Sequence, residues 1–338
     1  MKYKHIGGME VSQFALGTWH LPPSDKRYPD GVLYVDLEKS NRIFRKAIDL
    51  GINFFDTANT YHGTISETHL HPEKSGNAEH ILGDYLKDFE RESYVIATKV
   101  RAEVATFHNG GGLSRKHISW QIRESLSRLK TSYVDLYQIH WQDPHTSSRE
   151  TMDVLNDLVH RGMVHYIGTS NHPPSATKEM MKIADENRWE NFVTMQESYN
   201  LINREFEDEK AEIARKHSMT LLAYVPLAEG ILSGKYQSGI KTGTRGSYTD
   251  GFRESVEKSA EIVKKFMEIA NGMDVKPTQL ALAWMLKMQD KLKIDIIPIL
   301  GATDVSHLED NVLSLDMKIS DSEFNELNAL TGTELSGA

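Results

Sequence analysis

The chain has 338 residues, 39% hydrophobic and 26% charged, with a formal net charge of −9 and no cysteine. This is the composition of a folded globular protein, and it excludes disulfides, thiolate nucleophiles and Cys-ligated zinc. The charge argues against nucleic-acid binding by the whole surface, so a phosphate-bearing ligand needs a local cationic patch.

No apolar run reaches about 18 residues, and the opening MKYKHIGGMEVSQF lacks an apolar signal core, so a cytoplasmic protein with no membrane span is expected. Behind a short N-terminal hairpin, residues 14–17 read as a strand, as do 53–55. A helix is expected over 78–87, then a strand over 93–98 (SYVIAT). Residues 115–129 carry Ile118, Ile122, Leu126 and Leu129 at helical spacing, and a strand over 133–139 (YVDLYQI) follows. A helix over 149–160 shows Met152, Leu155 and Val159 on one face. Strands over 164–168 and 192–195, a helix over 206–216, and strands over 220–224 and 294–299 complete the series. Strands alternating with helices imply βαβ units. Eight of them without a composition break predict an α/β fold, one (β/α)8 TIM barrel domain over residues 1–338 with long loops at its C-terminal face. Residues 20–37, 62–77 and 225–255 read as those loops, 204–216 as a solvated helix face and about 331–338 as a flexible tail.

Catalytic groups of such barrels sit where strands end. Asp56 follows Phe55, Tyr61 lies in the same loop, Lys99 ends VIATK, and His140 ends LYQIH. Carbonyl reduction needs a hydride at carbon and a proton at oxygen. In this scheme Tyr61 is the general acid, and Lys99 lowers its pKa as an ammonium would. Asp56 holds Lys99 charged, and His140 orients the substrate oxygen. Taken singly, each residue has an ordinary alternative: a cap for Asp56, a loop aromatic for Tyr61, a solvated strand end for Lys99, a core histidine for His140. Their joint placement after separate strands favours the chemistry.

Longer motifs agree. GINFFDTANTYHG with SGNAEHILGDYLK, VIATKV, SLSRLKTSYVDLYQIHW, GMVHYIGTSNH, QESYN, YVPLAEGILSGKY and GATDVSHLEDN resemble, in order, the aldo-keto reductase family, in the branch that also resembles potassium-channel β subunits. The resemblance implies that Asp56, Tyr61, Lys99 and His140 form the family's tetrad. It implies a nicotinamide cofactor bound without a GxGxxG fingerprint, with Ser170, Asn171 and Gln196 on the carboxamide and Tyr224 stacked on the ring. Leu227, Gly230, Lys235 and Arg245 would approach the pyrophosphate. Gly301, Thr303, His307, Asp310 and Asn311 would lie on the adenosine side. Many relatives carry Arg, Lys or Ser at the position of Thr303 and Gln or Arg at that of His307; here Thr303 offers a hydroxyl and His307 is only partly charged at neutral pH. A 2′-phosphate favours a fixed cation at this place, so NADPH remains the first choice, with dual use or NADH open. Val225 replaces a common serine.

Trp19, Tyr28, Trp141 and the loop at 101–113 are substrate-pocket candidates for a small-molecule carbonyl substrate. The histidines at 62, 69, 71 and 80 lack metal-ligand spacing and read as exposed loop residues, so no metal is expected. The alternative to an enzyme is a cofactor-bearing regulatory subunit like the channel β subunits. A barrel lyase would need carboxylate clusters or a phosphate loop. A homo-oligomer is compatible with all of this.

Overall fold

A computed structural model describes residues 1–64, 71–237, 239 and 251–331. The chain opens with an antiparallel hairpin, β1 (Tyr3–Ile6) and β2 (Met9–Ser12). Gly7 turns it at φ +57, and a Cβ there would lie 2.5 Å from Cε1 of Tyr166, so both the turn and the close approach require glycine. Strand β3 (Ala15–Gly17) follows. A second antiparallel hairpin, β4 (Pro23–Arg27) and β5 (Leu33–Val35), occupies a stretch that reads from sequence as loop. Helix α1 (Leu37–Asp49) starts where Asp36 accepts the Lys39 N–H.

The regular alternation then runs β6 (Phe54–Asp56), α2 (Asn77–Leu86), β7 (Val95–Val100), α3 (Arg115–Leu129) and β8 (Val134–Ile139). It continues with α4 (Ser148–His160), β9 (Val164–Ser170), α5 (Pro174–Asn187), β10 (Phe192–Ser198), α6 (Glu209–Lys216) and β11 (Thr220–Tyr224). Helices α7 (Phe252–Gly272) and α8 (Pro277–Leu292) precede β12 (Ile296–Leu300), and α9 (Val305–Val312) and α10 (Asp321–Ala329) follow it. Strands β3 and β6 to β12 pair in parallel in chain order, and β12 returns to β3, closing a (β/α)8 barrel.

Side chains alternate along each strand, so residues two apart share a face. Ala15, Phe54, Val95, Ala97, Leu136, Leu222, Ile297 and Ile299 pack inside the barrel with Ile6 and Val11 of the first hairpin. The opposite faces, including Phe55, Ile96, Tyr137, Ile167 and Leu221, pack against Ile43, Leu82, Ile122, Leu155 and Met180 of the helices. Two residues beyond the inward apolar positions the character changes. Asp56 follows Phe54, Lys99 follows Ala97, and Tyr224 follows Leu222. Gln138 and then His140 follow Leu136. The barrel has an apolar floor and a polar mouth, and one strand period separates them.

Several expectations need correction. Residues 204–216 do not form one solvated helix: a 3-10 turn (Glu205–Glu207) breaks at Asp208 before α6 begins. Phe206 is buried, and Arg204 sits 5.5 Å over the Trp284 ring while donating to Glu207 at 2.7 Å. Thr331 is buried, so the tail does not begin there. Arg245, His69 and residues 332–338 lie outside the described residues.

Candidate active site

Asp56 is the last residue of β6, Lys99 the penultimate residue of β7, and His140 directly follows β8. Lys99 has no exposed surface, and all three of its ammonium protons are taken. It donates to Asp56 Oδ2 at 2.7 Å, to the Thr57 carbonyl at 2.8 Å and to Tyr61 Oη at 3.2 Å. The other Asp56 oxygen accepts the Gln196 Nε2 donor at 2.7 Å. Tyr61 meets His140 edge to face, with ring centroids 5.7 Å apart. Because Tyr61 Oη accepts from Lys99, its own hydrogen is left to donate elsewhere.

Burial, with the Asp56 charge added to it, pushes the Tyr61 phenol well above its ordinary 10.0. This reverses the expectation that Lys99 lowers it. The ammonium is itself pulled down by burial and is neutralised by Asp56, so little net positive charge reaches the phenol. The phenol therefore rests protonated, which suits a donor. Burial, then Lys99 and Arg101, hold His140 well below 6.5, so its imidazole is neutral. A neutral imidazole donates one N–H and carries no charge that would compete for the tyrosine proton.

A second network ties strand ends together. Asn171, at φ +53, donates through Nδ2 to the His140 carbonyl at 3.1 Å and to Ser170 Oγ at 3.0 Å. Tyr224 Oη donates to Asn171 Oδ1 at 2.7 Å. The predicted carboxamide and ring residues thus stand beside the tetrad, with Gln196 bound to Asp56 itself.

Beyond β11 the chain turns sharply. Val225, Ala228, Glu229 and Gly230 all have positive φ, at 47°, 48°, 56° and 92°. Non-glycine residues in that region cost about 1–3 kcal/mol each, and such strain gathers at ligand sites. The turn starts at Leu227, and Lys235 lies across Gly230, where a Cβ would come within 2.5 Å of its Cε. After β12, a Cβ on Gly301 would meet nothing within 4 Å, and Thr303 is half-buried. Asp304 caps α9 by accepting the Ser306 N–H at 2.9 Å, and His307 is exposed one turn in. Asp310 pairs with Lys276 at 2.6 Å on the helical layer, and Asn311 is buried. A turn bearing a lysine, an aromatic ring at the mouth and a helix start past Gly301 suit, by their chemistry, the phosphates and the ring of a nicotinamide dinucleotide.

The pocket candidates are placed unequally. Trp141 lies against His140, with centroids 4.3 Å apart. Trp19 follows β3, whose Gly17 pairs with Asp56. Tyr28 stacks on Tyr34, has the Lys74 ammonium 5.0 Å from its ring and meets His62 at 5.8 Å, beside the loop carrying Tyr61. His62 is buried, not exposed; its Nδ1 meets Thr64 Oγ1 at 3.0 Å, and burial lowers it to about 4. His80 is exposed as expected. His71, Asp30 and Glu73 approach one another, but Lys74 pairs with both carboxylates, so an ammonium already occupies that cluster.

Two features escape a sequence reading: the Thr57 carbonyl on Lys99 and the Gln196–Asp56 bond. Arg101, the first residue of the loop expected at the pocket, follows Lys99 by two residues on the same strand parity and sets its guanidinium 5.2 Å from the Trp141 ring.

A parallel barrel whose mouth holds a buried lysine between an aspartate and a tyrosine, beside a neutral histidine, defines a class of barrel oxidoreductases. The pattern of the aldo/keto reductase family matches residues 13–331, and the chain belongs to that family. It is 31% identical to the L-glyceraldehyde 3-phosphate reductase of Escherichia coli K12, over 94% of this chain and 88% of that protein. It is 32% identical to a Schizosaccharomyces pombe protein named for a voltage-gated potassium channel β subunit, over 91% and 86%. The crystal structure of the thermostable aldo-keto reductase Tm1743 with the inhibitor epalrestat superposes with a TM-score of 0.72 at 27% identity, covering 98% of this chain and all of that one.

Proposed function

We propose that this oxidoreductase reduces an aldehyde or ketone to an alcohol with a reduced nicotinamide cofactor, NADPH in the first instance, and with Tyr61 as general acid. The observation that carries the reading is Lys99 Nζ held at 2.7 Å from Asp56 and 3.2 Å from Tyr61 Oη inside the barrel mouth. The cofactor supplies hydride to the carbonyl carbon. The chain's own work is at the oxygen. Tyr61 gives up its proton there, and the hydrogen bond that Lys99 donates to its oxygen stabilises the phenolate left behind. Asp56 and Gln196 fix Lys99. His140, neutral, donates a hydrogen bond that orients the carbonyl. Trp19, Tyr28 and Trp141 line the approach.

Ser170, Asn171, Gln196 and Tyr224 would hold the nicotinamide end. Leu227, Gly230, Lys235 and Arg245 would hold the pyrophosphate. Gly301, Thr303, His307, Asp310 and Asn311 would hold the adenosine side, with Asp310 acting through its Lys276 pair. We read the whole chain as one barrel domain.

Similarity to the channel β protein favours one other reading, a cofactor-bearing regulatory subunit. Steady-state loss of NADPH absorbance against a panel of aldehydes separates the two. Turnover that Lys99→Met abolishes supports the reductase. Cofactor binding without turnover on any aldehyde favours the regulatory subunit.

A further inference from the structure

Arg101 stands just past the end of β7, two residues beyond Lys99, and belongs to no part of the proton-delivery group. Its guanidinium lies 5.2 Å from the Trp141 ring, Trp141 lies 4.3 Å from His140, and His140 lies 5.7 Å from Tyr61. The cation is therefore two ring contacts from the proton donor, and its charge is felt at His140.

Arg101 is unusual in three ways. Its Nε is buried with no hydrogen-bond partner among the described residues. No carboxylate lies within ion-pair distance of it among the described residues, although the half-buried arginines Arg91, Arg128 and Arg204 each have one. Asp143, whose carboxylate feels the Arg101 charge, already accepts from Leu113 N at 2.8 Å, Thr146 Oγ1 at 2.7 Å and His145 N at 3.0 Å. Finally, its backbone is held at φ 148, with its carbonyl accepting the Gly112 N–H at 2.8 Å. A non-glycine residue keeps such a conformation only where its surroundings impose it, and such residues gather at ligand clamps.

We propose that Arg101 is a specificity residue that binds a carboxylate on the substrate, so that the preferred substrates are aldehydes or ketones carrying a carboxylate away from the reacting carbonyl. This rests on the reductase reading. A planar guanidinium lying on an indole presents its free edge as a fork that matches a carboxylate. One uncompensated charge suits a monoanion better than a phosphate dianion, because Lys99, the neighbouring cation, is neutralised by Asp56.

The test compares kcat/KM with NADPH for succinic semialdehyde against butanal, and for glyceraldehyde 3-phosphate against glyceraldehyde, in the wild type and in Arg101→Gln. A preference for succinic semialdehyde over butanal of about tenfold to a hundredfold is expected, carried mainly by KM. In Arg101→Gln that ratio should collapse toward one, and Arg101→Lys should restore part of it. Three results would overturn the proposal: no preference in the wild type, a ratio untouched by Arg101→Gln, or a larger preference in the phosphate pair. If no aldehyde of either pair turns over, it is the reductase reading that has failed. The anion site is then judged by succinate titration of tryptophan emission, since Trp141 lies under Arg101. A change in the wild type that Arg101→Gln abolishes supports the site, and equal responses refute it.

Discussion

His62 and His172 are both buried, and burial lowers each imidazole to about 4. In the unfolded chain each takes up a proton near pH ~6.5. Between about 6.5 and about 4 the unfolded state therefore binds more protons than the folded one. Stability is full above that window and is lost as the pH falls through it. His172→Gln removes one of the two groups, so its thermal midpoint should decline less steeply across the window than the wild type's. Parallel curves would show that His172 is not held neutral. At this scale the placement of Asp56, Lys99 and His140 at the barrel mouth was legible because each closes or directly follows an apolar strand run, which needs only local pattern. The Gln196–Asp56 bond was not, because its partners are 140 positions apart and meet only when the barrel closes. The direction of the Tyr61 shift was missed for a related reason. From sequence Lys99 is a bare cation; in the fold it is one half of a buried neutral pair.

The left-handed turn after β11 and the start of α9 are the elements on which cofactor affinity should depend. Lys235→Ala should raise the NADPH dissociation constant by about tenfold to a hundredfold, the range for a lost hydrogen bond to a charged group. Gly230→Ala should do the same by displacing Lys235, whose Cε lies where the new methyl would go. Fluorescence titration measures both, and unchanged affinity in both would move the phosphate site elsewhere. At α9, Asp304 puts a carboxylate near where a 2′-phosphate would lie, and His307 offers no permanent cation. Asp304→Asn and His307→Arg should each shift the NADPH-to-NADH affinity ratio toward NADPH; a ratio that neither variant moves would break the adenosine-side assignment. The barrel strands were legible to within a few residues as apolar runs bounded by turn signals. The β4–β5 hairpin was not, because its first strand, PSDKR, is charged and largely exposed and lacks the apolar alternation that marks a strand. The helix expected over residues 206–216 failed at Asp208, where backbone geometry ends the 3-10 turn and no side-chain periodicity marks the break.

For the whole molecule, barrel closure turns strand parity into chemistry. The alternation that buries Phe54, Ala97 and Leu136 on the floor side carries Asp56, Lys99 and His140 to the mouth. Closure was legible from eight strand-like runs alternating with helices, and the family motifs placed the site on it. What sequence could not supply was which side chains would find partners, and so Arg101 stands out within the expected pocket loop 101–113 by its lack of a carboxylate partner among the described residues. The central claim is that Tyr61, held by Lys99, delivers the proton. The most direct test is the NADPH-dependent kcat of Tyr61→Phe on an aldehyde the wild type reduces, measured with cofactor binding and the circular dichroism spectrum unchanged. The expected result is a fall of roughly 10²–10⁴, the range for losing a general acid. Near-normal turnover by that variant would contradict the assignment of Tyr61 and the reading of the site built around it.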